Sequence, residues 1–96
     1  MGMIVEAYKI EIKGLVQGVG FRPFIYKLAK RHSIRGNVEN NNEGVLVQAE
    51  GNRNHLQQFI KAMKAEAPVA SKIAAINIKV EPITGFENFS ILPSHS

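Results

Sequence analysis

The hydrophobic period of this chain switches from two to 3.6 and back, twice over, and few folds accept that order. In residues 4–13, Tyr8, Ile10 and Ile12 fall on one side and Lys9, Glu11 and Lys13 on the other, the alternation of a half-buried strand. After Gly14-Leu15-Val16-Gln17-Gly18-Val19-Gly20 the spacing lengthens. Phe21, Phe24, Ile25, Leu28, Ala29 and His32 recur at helical intervals, with Lys27, Lys30 and Arg31 outward. Pro23 suits the first helical turn, where its missing N–H removes no bond. Ile34, Gly36, Val38 and Asn40 then share one face of a second strand. Asn41-Asn42-Glu43-Gly44 has turn chemistry, and residues 45–50 return as a third strand. A second helix is expected from a cap at Asn52 or Asn54 through Leu56, Phe59, Ile60 and Met63, until Pro68 forbids continuation. Ile76, Ile78 and Val80 alternate as a fourth strand, and Phe89 with Ile91 is read as a short fifth.

The order β-α-β-β-α-β predicts an α+β, ferredoxin-like sandwich: an antiparallel sheet with two helices on one face. Residues 1–96 are expected to form a single domain with a flexible tail over 92–96, and a chain of this length buries enough surface for one core. Right-handed crossover then leaves room for the third strand between the first and second. Strands one and two therefore end on the same edge of the sheet, roughly 10 Å apart. The loop over residues 17–22 and Asn40 are thus expected to face a common site.

Two residue types are missing, and their absence narrows the chemistry. Without cysteine there is no disulfide, thiolate nucleophile or thiolate metal site within the chain. All eight acids are glutamates, which excludes an aspartyl nucleophile, an EF-hand loop and a Walker-B aspartate. His32, His55 and His95 share no ligand spacing, so no metal is expected. No apolar run approaches the roughly 20 residues that span a bilayer, and the start of the chain is unlike a signal peptide. A soluble cytoplasmic protein without membrane contact is expected. Twelve Lys and Arg against eight Glu leave a net charge of +4, which favours an anionic partner.

The stretch Gly14-Leu15-Val16-Gln17-Gly18-Val19-Gly20-Phe21-Arg22 joins a strand to a helix start. Consecutive amides of a glycine-rich turn and of a first helical turn make a concave anion site, and Arg22 adds a cation able to grip two phosphate oxygens. A Walker A loop needs Gly-Lys-Ser/Thr and a dinucleotide fingerprint needs glycine where Pro23 stands, so neither nucleotide motif fits. On glycine spacing alone, a simple chain turn remains the more common explanation.

Taken together, Val16-Gln17-Gly18-Val19-Gly20-Phe21-Arg22, Gly36-Asn37-Val38-Glu39-Asn40 and Gly44-Val45 resemble the acylphosphatase signature, and the resemblance extends over about residues 10–91. It includes Ala67-Pro68-Val69-Ala70-Ser71-Lys72-Ile73, similar to the family's Pro/Ser stretch. The resemblance implies a ferredoxin-like hydrolase that cleaves a carboxyl–phosphate anhydride to a carboxylate and inorganic phosphate, without metal or cofactor. It makes Arg22 and Asn40 the catalytic pair, Arg22 holding phosphate and Asn40 orienting water. Gln17, Gly18, Val19, Gly20 and Phe21 form with Arg22 the phosphate-binding cradle. An acyl phosphate already has a good leaving group, so positioning and charge stabilisation suffice.

Pro23 directly after Arg22, and Asn37 where many members have tryptophan, look more like the N-terminal acylphosphatase-like domain of hydrogenase-maturation carbamoyltransferases. That subfamily implies carbamoyl phosphate as substrate and a downstream carbamoyltransferase region. A non-catalytic phosphate- or carbamoyl-phosphate-binding module is the alternative. A rival of another class starts from the basic stripe of Lys27, Lys30, Arg31 and Arg35, because RNA-recognition modules share this element order. Those modules stack bases on aromatics of the third strand, whereas Val45-Leu46-Val47-Gln48-Ala49-Glu50 has none, so no nucleic-acid partner is expected.

Overall fold

The computed structural model describes residues 4–93. Its elements are β1 (Val5–Leu15), α1 (Phe21–Arg31), β2 (Arg35–Asn41), β3 (Gly44–Asn52), α2 (Arg53–Ala65), β4 (Lys72–Glu81) and β5 (Phe89–Ile91). The strand order β4-β1-β3-β2-β5 places β3 between β1 and β2, as right-handed crossover requires. Pairings among the first four strands are antiparallel. The fifth differs: β5 runs parallel to β2, with Gly36 opposite Phe89 and Val38 opposite Ile91. Since β4 runs antiparallel to β1, it ends at the edge where β1 begins. The connection over residues 82–88 crosses to the far side of the sheet there, and β5 can then only run alongside β2.

Rows of the sheet carry the core. Ile10, Val47 and Val38 align across β1, β3 and β2, and Ile12 aligns with Val45 and Asn40 in the next row. Against these buried aliphatics pack Phe21, Ile25, Leu28 and Ala29 of α1 and Leu56, Phe59 and Met63 of α2. Each large apolar side chain buried in this way contributes about 1.5–3 kcal/mol. Asn40 therefore shares the helix-covered face with the core, one row beyond it.

Several boundaries differ from the sequence expectation for identifiable reasons. β1 continues to Leu15 through an irregularity between Lys13 and Gly14, where Gly14 takes φ 135° and a Cβ would lie 2.1 Å from the Lys72 carbonyl oxygen. β4 begins at Lys72, four residues before its alternation starts, because Lys72 and Ile73 pair with Leu15 and Gly14. Asn52, not Asn54, caps α2, its side chain accepting from the Asn54 amide at 2.8 Å. At the end of α1, Ser33 turns the chain at φ 57°, and the Ile34 amide reaches back to the Ala29 carbonyl at 2.8 Å. Of the expected tail, residues 94–96 lie outside the described residues. Leu92 is tied down, its amide donating to the Val38 carbonyl at 2.9 Å.

On the sheet face away from the helices, Glu50 is 2% exposed. Its carboxylate accepts from the amides of Thr84, Gly85 and Phe86, fastening the 82–88 crossing to β3. A cavity of about 330 Å³ lies beside it, between this crossing and Lys9, Leu46 and Gln48.

Candidate active site

Five residues separate β1 from α1, and their backbone signs alternate. Gly18 has φ 75° and Gly20 φ 76°, while Val19 and Phe21 keep ordinary negative values. Such alternation turns successive N–H groups toward one side and makes an anion-binding concavity. Nothing lies within 4 Å of a Cβ built on Gly18 or Gly20, so room is not the constraint. The left-handed backbone is, since an L side chain there costs roughly 1–2 kcal/mol. Gly20 is also the N-cap of α1 and no side chain caps that end, so the positive end of the helix adjoins the same concavity. Buried Val16 and Phe21 clamp the loop at both sides, Phe21 meeting Phe24 edge-on at 5.4 Å between ring centres.

Arg22, in the first turn of α1, is half-buried. Its Nη1 donates to the Leu92 carbonyl at 3.0 Å, a partner 70 residues away that no motif or period points to. Leu92 directly follows β5, which is seated by Phe89, a buried ring that packs edge-on against Tyr26 of α1 at 6.3 Å. The Arg22 guanidinium is thus oriented while keeping further N–H groups for an anion.

The Gln17 side chain reaches from the loop to the β2–β3 hairpin. Its side-chain amide donates to the carbonyls of both Asn41 and Gly44, the latter at 2.7 Å. Asn41 and Gly44 face each other at the tip of the β2–β3 hairpin, and Asn41 Oδ1 accepts from the amides of Glu43 and Gly44 at 2.9 and 2.8 Å. Asn40 directly precedes this knot and lies half-buried in β2, in line with Val45 and Ile12. Two strand spacings, roughly 10 Å, therefore separate the Asn40 backbone from β1 at the edge where the loop emerges. The loop and Asn40 share one edge of the sheet and one face of it.

The acylphosphatase family model matches residues 8–91. This chain belongs to the acylphosphatase family. The acylphosphatase of Pseudothermotoga lettingae is 40% identical to it over 93% of the chain and 100% of that protein, and that of Thermotoga petrophila is 36% identical over 91% and 97%. A probable carbamoyltransferase HypF of Methanocaldococcus jannaschii is 37% identical over 92% of the chain. Here the acylphosphatase domain spans only 12% of the relative. Among solved structures, full-length HypF in its phosphate- and nucleotide-bound form matches with a TM-score of 0.94 at 33% identity, covering 98% of this chain and 12% of that one. The acylphosphatase of Bacillus subtilis matches at 0.86 and 36% identity, covering 94% and 100%.

Several other charged groups are engaged elsewhere. In the basic stripe, Arg31 pairs with Glu66 at 2.9 Å and Lys30 lies 5.7 Å from the Tyr26 ring centre. Arg53 pairs with Glu6 at 3.1 Å, and this contact, with a hydrogen bond from Tyr8, holds the Glu6 carboxyl below its usual range. Among the described residues no cluster of His, Cys, Asp or Glu has the geometry of a metal site, and no helix is long and apolar enough to cross a membrane.

Proposed function

We propose that this acylphosphatase domain hydrolyses acyl phosphates through Arg22 and Asn40, with the cradle over residues 17–22 receiving the phosphoryl group. The observation that carries this reading is the alternating backbone at Gly18–Phe21 set against an Arg22 whose guanidinium is already oriented by Leu92. Cradle amides and Arg22 spread the phosphoryl charge over fixed dipoles, which need no rearrangement during reaction. Asn40 accepts a hydrogen bond from the attacking water through its amide oxygen and donates to a phosphoryl oxygen through its nitrogen. As the water oxygen bonds to phosphorus, the bond from phosphorus to the acyl oxygen breaks. The carboxylate leaves with that electron pair, and the proton of the water passes to phosphate. A carboxylate is a weak base, so no general acid is required.

Release of inorganic phosphate from benzoyl phosphate tests this directly. Asn40→Ala is expected to lower kcat by on the order of 10²–10³, about 3–4 kcal/mol, as when a single oxyanion-type donor is removed. Arg22→Ala is expected to weaken binding of inorganic phosphate as well as turnover. Wild-type release no faster than that of folded Asn40→Ala would sink the reading, and phosphate binding without release would leave a phosphate-binding module.

Carbamoyl phosphate is the second substrate to assay. Pro23 after Arg22 and the TM-score of 0.94 to full-length HypF favour a carbamoyltransferase setting for this domain. A kcat/KM for carbamoyl phosphate above that for benzoyl phosphate would support it, and the reverse order would favour the free-standing enzymes as the better guide.

A further inference from the structure

We propose that Gln17 is a positioning residue that fixes the gap between the phosphate cradle and Asn40, and that its side chain is not a phosphate ligand. The proposal rests on the acylphosphatase reading above. A primary amide nitrogen carries two hydrogens, and at Gln17 both are committed, one to the Asn41 carbonyl and one to the Gly44 carbonyl. What remains for a ligand is the amide oxygen, which repels a phosphoryl oxygen. The backbone N–H of Gln17 stays available to the cradle, so its side chain and its main chain serve different partners.

The two carbonyls belong to the closing pair of the β2–β3 hairpin, which is independently rigid. Asn41 Oδ1 bridges the Glu43 and Gly44 amides, the Gly14 amide reaches the Glu43 carbonyl at 3.4 Å, and Lys13 lies 3.6 Å from the Glu43 carboxylate. Gly44 must be glycine for β1 to come this close, because a Cβ there would stand 2.0 Å from the Ile12 carbonyl oxygen. Gln17 thus ties the first residue of the cradle to a platform whose neighbour in sequence is Asn40. Gln17 is itself exposed and contributes little by burial. Its value lies in geometry: a misplacement of about 1 Å between reacting groups costs on the order of 10²-fold in rate.

The test compares wild type with Gln17→Met, which keeps the length but has no donor, and Gln17→Glu. Steady-state hydrolysis of benzoyl phosphate and inhibition by inorganic phosphate are both read. For Gln17→Met, kcat is expected to fall about 10- to 100-fold, with phosphate inhibition changed by less than about twofold. For Gln17→Glu, a carboxylate facing two carbonyls is repulsive at neutral pH, and protonation restores one donor. Its kcat relative to wild type should rise as pH falls toward its carboxyl pKa, and Gln17→Met should show no such recovery. Equal loss of kcat and phosphate affinity in Gln17→Met would make the side chain a ligand and overturn the proposal, as would an unchanged kcat. If wild type itself does not turn over, the acylphosphatase reading fails separately. The brace is then judged by amide exchange, where Gln17→Met should speed exchange at Gly14, Glu43 and Gly44, and unchanged exchange overturns it.

Discussion

Ser33 sits at φ 57° at the end of α1, where helices usually place glycine, and it is the one non-glycine residue with positive φ among those described. Ser33→Gly removes the Cβ penalty of that conformation against a smaller loss from the freer unfolded chain. It is expected to stabilise the domain by about 0.5–1 kcal/mol in urea unfolding. One residue earlier, His32 has a buried Nε2 with no partner, and burial first, then Arg31 and His55, hold its pKa below the usual 6.5 against the opposing pull of Glu66. A base with a lowered folded pKa binds its proton more readily when unfolded. Its contribution is therefore whole above pH 6.5 and lost as pH falls through the lower folded value. The wild-type melting temperature should drop more steeply than that of His32→Gln below about pH 6.5, and parallel curves would refute this. Arg22 and Asn40 are legible in sequence as candidates because they stand in a compound motif at fixed register with glycines. The side-chain bonds of Gln17 are not, since its partners lie 24 and 27 residues on and its position in the motif points to the cradle.

At the scale of elements, period and capping chemistry were enough to order six elements, and turn residues located the hairpin. The parallel docking of β5 depended on something periodicity does not carry, the path of residues 82–88. Glu50 governs that path. In sequence it reads as one more polar position on an alternating strand, yet it is buried with three backbone amides as partners. Glu50→Ala leaves those amides without their acceptor and is expected to cost about 2–4 kcal/mol in unfolding free energy. Because the crossing leads to β5, and β5 to Leu92, the variant should also show faster amide exchange in residues 89–92 than elsewhere in the sheet.

For the molecule as a whole, the net charge of +4 comes from twelve Lys and Arg spread along the chain, of which Lys13, Arg31 and Arg53 are ion-paired with glutamates. On the face away from the helices, β1 and β3 present Ala7, Lys9 and Glu11 beside Leu46, Gln48 and Glu50, none of them aromatic, and the 82–88 crossing with Phe86 is laid over part of it. A base-stacking platform is absent there among the described residues. Titration with single-stranded RNA at two salt concentrations is expected to give no saturable, salt-sensitive binding, and a saturable isotherm would contradict it.

The bond between Arg22 and Leu92 also sets a schedule for biosynthesis. At about 5–20 residues per second, a ribosome adds the 70 residues between them in roughly 4–14 s. During that interval the rest of α1, then β2, β3, α2 and β4 are made, while the guanidinium has no carbonyl to align it and β2 has no outer neighbour. A nascent chain halted just before Phe89 would therefore hold most of its core but an unaligned Arg22, so the arginine gains its orientation with the last strand rather than with the loop beside it.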